Sequence, residues 1–265
     1  MLKNILKFIC IILATVAVSF ASIAVIDKIL ELLPLDLTYD QSAACSGTLG
    51  IVVGSIFIAI LSLKRGWCKE LKERKIKLNH RVVPVSLFAV AAIQVVLGSV
   101  LALIFCKIHP LTPGVNPDSS LIDYIFTIVL APISEELMFR YGMYGALRHS
   151  FNKKISMVIT TVAFTLVHGF QLQSFIQCLA VGFILVYVFE KTGNIWYSIS
   201  VHAALNAFVS LSNYLVRKGI PFYTEVNGYI IDHVVVIIVA VVITLITGYV
   251  ILGKGRKERV QSIGC

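Results

Sequence analysis

Two adjacent glutamates and an arginine, Glu135, Glu136 and Arg140, stand inside the apolar run 121–147, and His168, His202 and Asn206 stand inside later apolar runs. These residue types perform general acid–base chemistry and stabilise oxyanions. A charge near a bilayer centre costs about 2.5–3.5 kcal/mol on insertion scales, so such a cluster is expensive unless its members are paired or used. Spacing separates their roles. Glu136 and Arg140 are four residues apart and share a helix face, so Arg140 can neutralise Glu136. Glu135 points about 100° away and is free to face a cavity. His202 and Asn206 are also four apart, and Ser198 and Ser210 extend them into a polar stripe. Phe164 and His168 repeat the spacing, so that ring and imidazole can pack together.

Desolvation raises a carboxylate's affinity for protons, which makes Glu135 the candidate general base towards water. His168 can share or relay the proton. His202 and the amide of Asn206 can donate hydrogen bonds to the oxyanion formed when water attacks a carbonyl. Together the six residues compose a site for water-mediated amide hydrolysis within a membrane. No serine or cysteine with an adjacent base is evident, which argues against a covalent route. Plainer roles exist for the same residues: a buried structural pair for Glu136 and Arg140, and interhelical hydrogen bonds for the histidines. A proton-coupled transporter would also carry Glu and His in its spans, but it is expected to show inverted repeats or broken helices, and no such pattern is visible.

The elements that must position these residues are transmembrane helices. Mean hydropathy is +0.89. Hydrophobic residues make up 58% of the 265 positions and charged residues 14%, well below the ~25% of ordinary soluble domains. A span needs about 20 apolar residues, and eight stretches qualify: Ile5–Ile26, Ala43–Leu63, Val82–Ile108, Leu121–Leu147, Ile155–Phe170, Leu172–Phe189, Ile195–Leu215 and Ile231–Leu252. The expected fold is all-α: one transmembrane domain over residues 1–265 and no soluble domain, with the catalytic core spans at 121–215.

The net charge of +9 follows from topology rather than from a nucleic-acid partner. With the N-terminus in the cytoplasm, the outer side receives only Lys28, Lys107, Arg217 and Lys218, Arg140 lies within the membrane, and every other Lys and Arg falls inside. The basic loop 64–81 reads as a topology signal lying against anionic lipid. The expectation is an integral protein of the cell membrane with both termini cytoplasmic. The N-terminal run resembles a signal peptide at its basic start, but its apolar length favours an uncleaved first span. The six cysteines are scattered without a C-x-x-C pair, so neither a redox pair nor a zinc knuckle is indicated. Gly50 and Gly54 form a small-xxx-small pair suited to intramolecular helix packing.

Sorting the acids by depth leaves only Glu135 and Glu136 along a span; the others, Glu190 among them, are assigned to loops, tails or span ends. Glu135 is 13 residues from Arg148, His168 14 from Lys154, and His202 and Asn206 are 11 and 15 from Lys191. At about 1.5 Å per residue all four lie roughly 16–22 Å above one boundary, on three helices, and can meet. Pro132 is expected to kink the helix just before the glutamates.

The three motifs carry a likeness. "EELMFR" matches E-E-x-x-x-R, "FTLVH" matches F-x-x-x-H and "HAALN" matches H-x-x-x-[ND], so the chain resembles the CPBP family of intramembrane proteases, the CAAX prenyl protease and bacteriocin-processing (Abi) family. The motifs occur in the family's order over residues 135–206, whereas the first three spans carry little of the likeness. Arg140 is followed by Tyr141 and then Gly142, where many members have glycine directly after the arginine. The resemblance implies an endopeptidase in which Glu135 activates water, Glu136 and Arg140 support it, His168 assists, and His202 with Asn206 forms the oxyanion hole. It also implies membrane-associated peptide or protein substrates, in peptide maturation or in self-immunity against bacteriocins. Glu135, His168 and His202 are the set able to hold zinc with one open position; without an H-E-x-x-H pair, and with Asn206 placed as a donor, a metal-free site without cofactor is expected. A non-catalytic immunity or scaffold protein is the alternative from another class.

Overall fold

A computed structural model of the chain describes residues 2–34, 38–73, 121–169 and 172–217. Among these residues there is no strand. The helices are α1 (Leu2–Leu32), α2 (Tyr39–Arg65), the short α3 (Lys69–Glu73), α4 (residues 121–150), α5 (Lys153–Val167), α6 (Leu172–Thr192) and α7 (Ile195–Arg217). The stretches expected to span at Val82–Ile108 and Ile231–Leu252 lie outside the described residues, as do residues 109–120, Cys106 and Cys265. The protein is an all-α membrane protein. Ile9–Leu32, Gln41–Arg65 and Phe175–Thr192 are long and apolar enough to cross a bilayer, and α7 adds a shorter apolar stretch, Ile195–Leu211.

α1 and α2 pack closely because α2 offers no side chain where they meet. A Cβ on Gly50 would lie 2.3 Å from Ile23 Cγ1, and one on Gly54 would lie 1.9 Å from Ser19 Oγ. The small-xxx-small pair therefore serves packing within the chain. On the packed face of α1 the Thr15 and Ser19 hydroxyls donate to the Ile11 and Thr15 carbonyls, at 2.9 and 3.1 Å, which satisfies them without water. Leu13, Val16 and Phe20 point outward.

α4 carries two π-helical segments, Phe126–Leu130 and Leu137–Tyr144. The first has a cause in the sequence. Ala131 N–H bonds to Phe126 O, and Pro132 has no N–H to give. The ladder widens at the proline, and the Thr127 carbonyl is left for a partner outside the helix. In the second segment the Tyr141 carbonyl accepts from Ser62 Oγ at 2.8 Å and Cys68 Sγ at 3.3 Å. Gly142 and Gly145 allow this approach: a Cβ on either would lie 2.7 Å from Ile58 or Cys68.

α5 is capped at its start by Asn152 Oδ1, which accepts from Ile155 N at 3.0 Å. It ends at Val167, and Gly169, with φ 104°, turns the chain in the left-handed region that glycine tolerates. His168 therefore sits at the helix end rather than well inside a span. With 15 residues α5 rises about 22 Å, short of the ~30 Å hydrocarbon core.

The contacts sort the bundle into two ends. The end of α2 meets α4 at Tyr141, while Glu190 near the end of α6 lies 3.6 Å from Arg148 Nε and 3.3 Å from Lys153 Nζ. Lys64, Arg65, Lys69, Arg148, Lys153, Lys154 and Lys191 thus gather at one end, called the basic end below. Its interior is filled by Cys68, Leu71, Tyr141, Tyr144, Met157, Val186 and Phe189, none more than 6% exposed.

Glu190 corrects the sorting of acids by depth. It is 1% exposed and accepts from Tyr144 Oη at 2.6 Å, so it is a buried carboxylate within α6 rather than a loop residue. Its neighbour Lys191 is exposed, and that lysine followed by Thr-Gly gives the segment the look of a solvated helix end.

Candidate active site

Glu136 is the most heavily bonded group of the site. It is fully buried, and its Oε1 lies 2.9 Å from Arg140 Nη1, an ion-pair contact rather than an aligned hydrogen bond. The same oxygen accepts from His202 Nδ1 at 2.9 Å, and Oε2 accepts a short hydrogen bond from Ser198 Oγ. Ser198 also lies 3.1 Å from the Leu185 carbonyl. Ser198 was visible in the sequence only as part of a stripe; its bond ties α7 to α4 one turn before His202. Arg140 is also fully buried: Nη2 donates to Gly182 O at 3.3 Å, and the guanidinium lies 4.2 Å from the centroid of the Phe164 ring.

Phe164 is the packing hub. Its ring is 4.4 Å from that of His168, 5.8 Å from that of His202 and 5.4 Å from that of Phe139, the last two edge to face. Gly182 leaves room for it, since a Cβ there would come 2.9 Å from Phe164 Cδ1.

Glu135, one residue before Glu136, turns away from the ion pair and lines a cavity of about 570 Å³ together with His168, His202 and Asn206. Its Oε2 is buried and has no hydrogen-bond partner. Two imidazole nitrogens converge on it, His168 Nε2 at 3.4 Å and His202 Nε2 at 3.8 Å. The partners of the other nitrogens assign the tautomers. His168 Nδ1 lies 2.7 Å from the Phe164 carbonyl, which only accepts, so Nδ1 carries a proton. His202 Nδ1 faces the Glu136 carboxylate paired with Arg140 and is likewise the donor. Both Nε2 atoms in their neutral forms therefore present lone pairs towards Glu135. In those forms three acceptors face one small space.

Asn206 occupies a different place from a free donor beside His202. Its Nδ2 donates to the Thr127 carbonyl at 2.8 Å, the group that the π segment and Pro132 leave without a helical partner. One amide hydrogen is committed to that bond, and the second stays available at the cavity wall. The structure thus brings Glu135, His168 and His202 within 4 Å, stacks Glu136 and Arg140 behind them, and sets Asn206 at the edge.

Residues 117–208 match the family model described as type II CAAX prenyl endopeptidase Rce1-like. Over 110 residues the chain is 29% identical to "Putative membrane peptidase YdiL" of Bacillus subtilis (strain 168), covering 39% of this chain and 45% of that protein. It is 36% identical over 85 residues to UPF0177 protein YxdF of Lactococcus lactis subsp. lactis (strain IL1403), covering 32% and 46% of the two chains. With UPF0177 protein YbdI of the same strain it shares 32% identity over 93 residues, 35% of this chain and 50% of that one. The chain spans about half the length of the curated relatives it matches. No solved structure matches it. The matched segment contains Glu135, Glu136, Arg140, His168, His202 and Asn206, and over residues 117–208 the chain is similar to the Rce1-like type II CAAX prenyl endopeptidases.

Proposed function

We propose that this protein is an intramembrane endopeptidase that hydrolyses peptide bonds of membrane-associated substrates with water activated by Glu135. The observation that carries this is the unpartnered Glu135 Oε2 facing the Nε2 atoms of His168 and His202 at the wall of a cavity. A water that donates to Glu135 Oε2 and His168 Nε2 turns a lone pair towards the cavity, where a substrate carbonyl would lie. Glu135 takes the water proton as the C–O bond forms and passes it to the leaving nitrogen as the C–N bond breaks. His202, as imidazolium, donates from Nε2 to the oxyanion, and Glu136 on its Nδ1 stabilises that charged form. Asn206 supplies its second amide hydrogen. Glu136 and Arg140 act through His202 and Phe164 and are positioning residues.

The reaction needs no metal. Glu135, His168 and His202 are chemically able to hold zinc, but the acid–base set they form with Glu136 already supplies base, relay and oxyanion donor.

The test uses the purified full chain in proteoliposomes with a mixture of membrane-inserted peptides, and fragments are read by mass spectrometry. Wild type should generate new termini that Glu135→Gln and His202→Ala, present at equal levels, do not. Cleavage by Glu135→Gln at the wild-type rate defeats the proposal. Loss of cleavage with a chelator and its return with zinc defeats the metal-free step alone. A transporter would instead take up solute in response to an imposed proton gradient.

A further inference from the structure

Among the described residues the bundle is solid at one end and hollow at the other. Every described residue that lines the cavity lies at the level of the Glu135–His202 contact or beyond it, away from the basic end. α2 contributes Thr48, ten residues before Ile58, whose side chain meets Gly142. α4 contributes Phe126 and Thr127, on the far side of Glu135 from Arg148. α6 contributes Cys178, before the Gly182 that meets Arg140, and α7 contributes Asn206 and Ser210, beyond His202. In the other half the same helices close on one another through Tyr144, Phe189, Val186 and Leu71, and the Tyr144–Glu190–Arg148–Lys153 cluster caps them. α5, shorter than the hydrocarbon core, ends at the site and leaves the far half less filled.

Charge assigns the ends to sides. Among the described residues the solid end carries seven exposed or half-buried Lys and Arg, while the hollow end has Lys28, already paired with Glu31 at 2.7 Å, and Arg217. Short membrane-proximal segments rich in Lys and Arg stay in the cytoplasm. The geometry points to a substrate that reaches Glu135 from the extracytoplasmic half of the membrane: a peptide segment seated in, or anchored to, the outer leaflet, and not a chain terminus presented from the cytoplasm. This rests on the proteolytic role proposed above. Among the described residues the cytoplasmic half offers no path, because a peptide arriving there would have to displace the core around Tyr144 and Phe189.

Labelling by a membrane-impermeant thiol reagent, read at each cysteine by peptide mapping, tests the side directly. In intact cells expressing the full chain, Cys178 and an introduced Thr48→Cys should label, and both should lose labelling in sealed inverted vesicles. An introduced Lys191→Cys, exposed at the basic end, should show the opposite pattern. Labelling of Cys178 and Thr48→Cys only in inverted vesicles, or in neither preparation, overturns the proposal. The readout does not depend on catalysis, so Glu135→Gln should label identically. If the chain cuts peptides but labels from the inside, only the side is wrong; if it labels from the outside but Glu135→Gln still cuts, only the proteolytic role is wrong.

Discussion

Replacing Glu136 by Gln should destabilise the protein severely, and adding Arg140→Met should restore most of the loss. At 2.9 Å, and with an effective dielectric constant of about 20, the gross attraction of the pair is about 6 kcal/mol. Removing both ions from water costs several kcal/mol each, so the intact pair comes close to break-even against an apolar replacement. Losing one partner is different. In Glu136→Gln the fully buried guanidinium keeps only the Gly182 carbonyl at 3.3 Å and the face of Phe164, and a stranded charge of this kind costs about 3–5 kcal/mol. Arg140→Met should fall at the low end of that range, because His202 Nδ1 and Ser198 Oγ still donate to Glu136. In the double variant both charges are gone, while the carbonyl oxygen of the introduced amide can still accept from His202 or Ser198. Its stability should return to within about 1–2 kcal/mol of wild type, a coupling of about 4–7 kcal/mol, above the usual 0.5–3 kcal/mol for neighbours. Reversible unfolding of the purified full chain in mixed micelles measures all four corners of the cycle. A double variant that loses the sum of the single losses, or a Glu136→Gln protein that unfolds with wild type, would refute the electrostatic account.

Tyr144→Phe removes the 2.6 Å bond to buried Glu190 and should cost about 1.5–3 kcal/mol in the same unfolding assay, with peptide cleavage by the folded protein unchanged. Gly182→Ala places a methyl 2.9 Å from Phe164, whose ring touches Arg140, His168 and His202. It should cost about 1–3 kcal/mol by overpacking and also slow cleavage, and unaltered cleavage would show that Phe164 does not set the histidines. Asn206→Ala should lower the cleavage rate by about 100- to 1,000-fold, the usual effect of removing one oxyanion donor, with little change in peptide binding.

The paired carboxylate was legible because i,i+4 spacing on a helix is a local rule: Glu136 and Arg140 meet whatever surrounds them. The common level of Glu135, His168 and His202 was legible for a related reason. Rise per residue is nearly constant, and the three helices can be counted from Arg148, Lys154 and Lys191, which share one end. What spacing does not carry is rotation of one helix against another. That rotation decides that Glu136 accepts from His202 and Ser198, and that Asn206 spends one hydrogen on Thr127. Glu190 was misplaced on the same ground, because only the facing of α6 towards Tyr144 distinguishes it from exposed Lys191. The π segments lie between these cases. Pro132 announces a break in the ladder, but the partner of the freed Thr127 carbonyl, Asn206, lies 79 residues beyond Thr127 on another helix.

The two adjacent glutamates face opposite physical demands, and the bundle meets both by placing them on opposite sides of one packing boundary. Glu136 is fully buried and held by Arg140, His202 and Ser198 on both of its oxygens, away from the cavity. Glu135 keeps 22% of its side chain exposed and one oxygen without a partner. An unsatisfied buried carboxylate oxygen costs more than about 1 kcal/mol where no water reaches, so it persists only at the wall of a cavity. The cavity that would admit a substrate in the proposed reaction therefore also relieves the burial cost of Glu135. The solid half of the bundle serves the same division: the core around Tyr144 and Phe189 packs beside the ion pair, and the cavity opens beside Glu135. One helical turn of sequence thus carries a buried carboxylate and a cavity-facing one, and in the proposed reaction the first positions and the second reacts, so exchanging their environments should abolish cleavage.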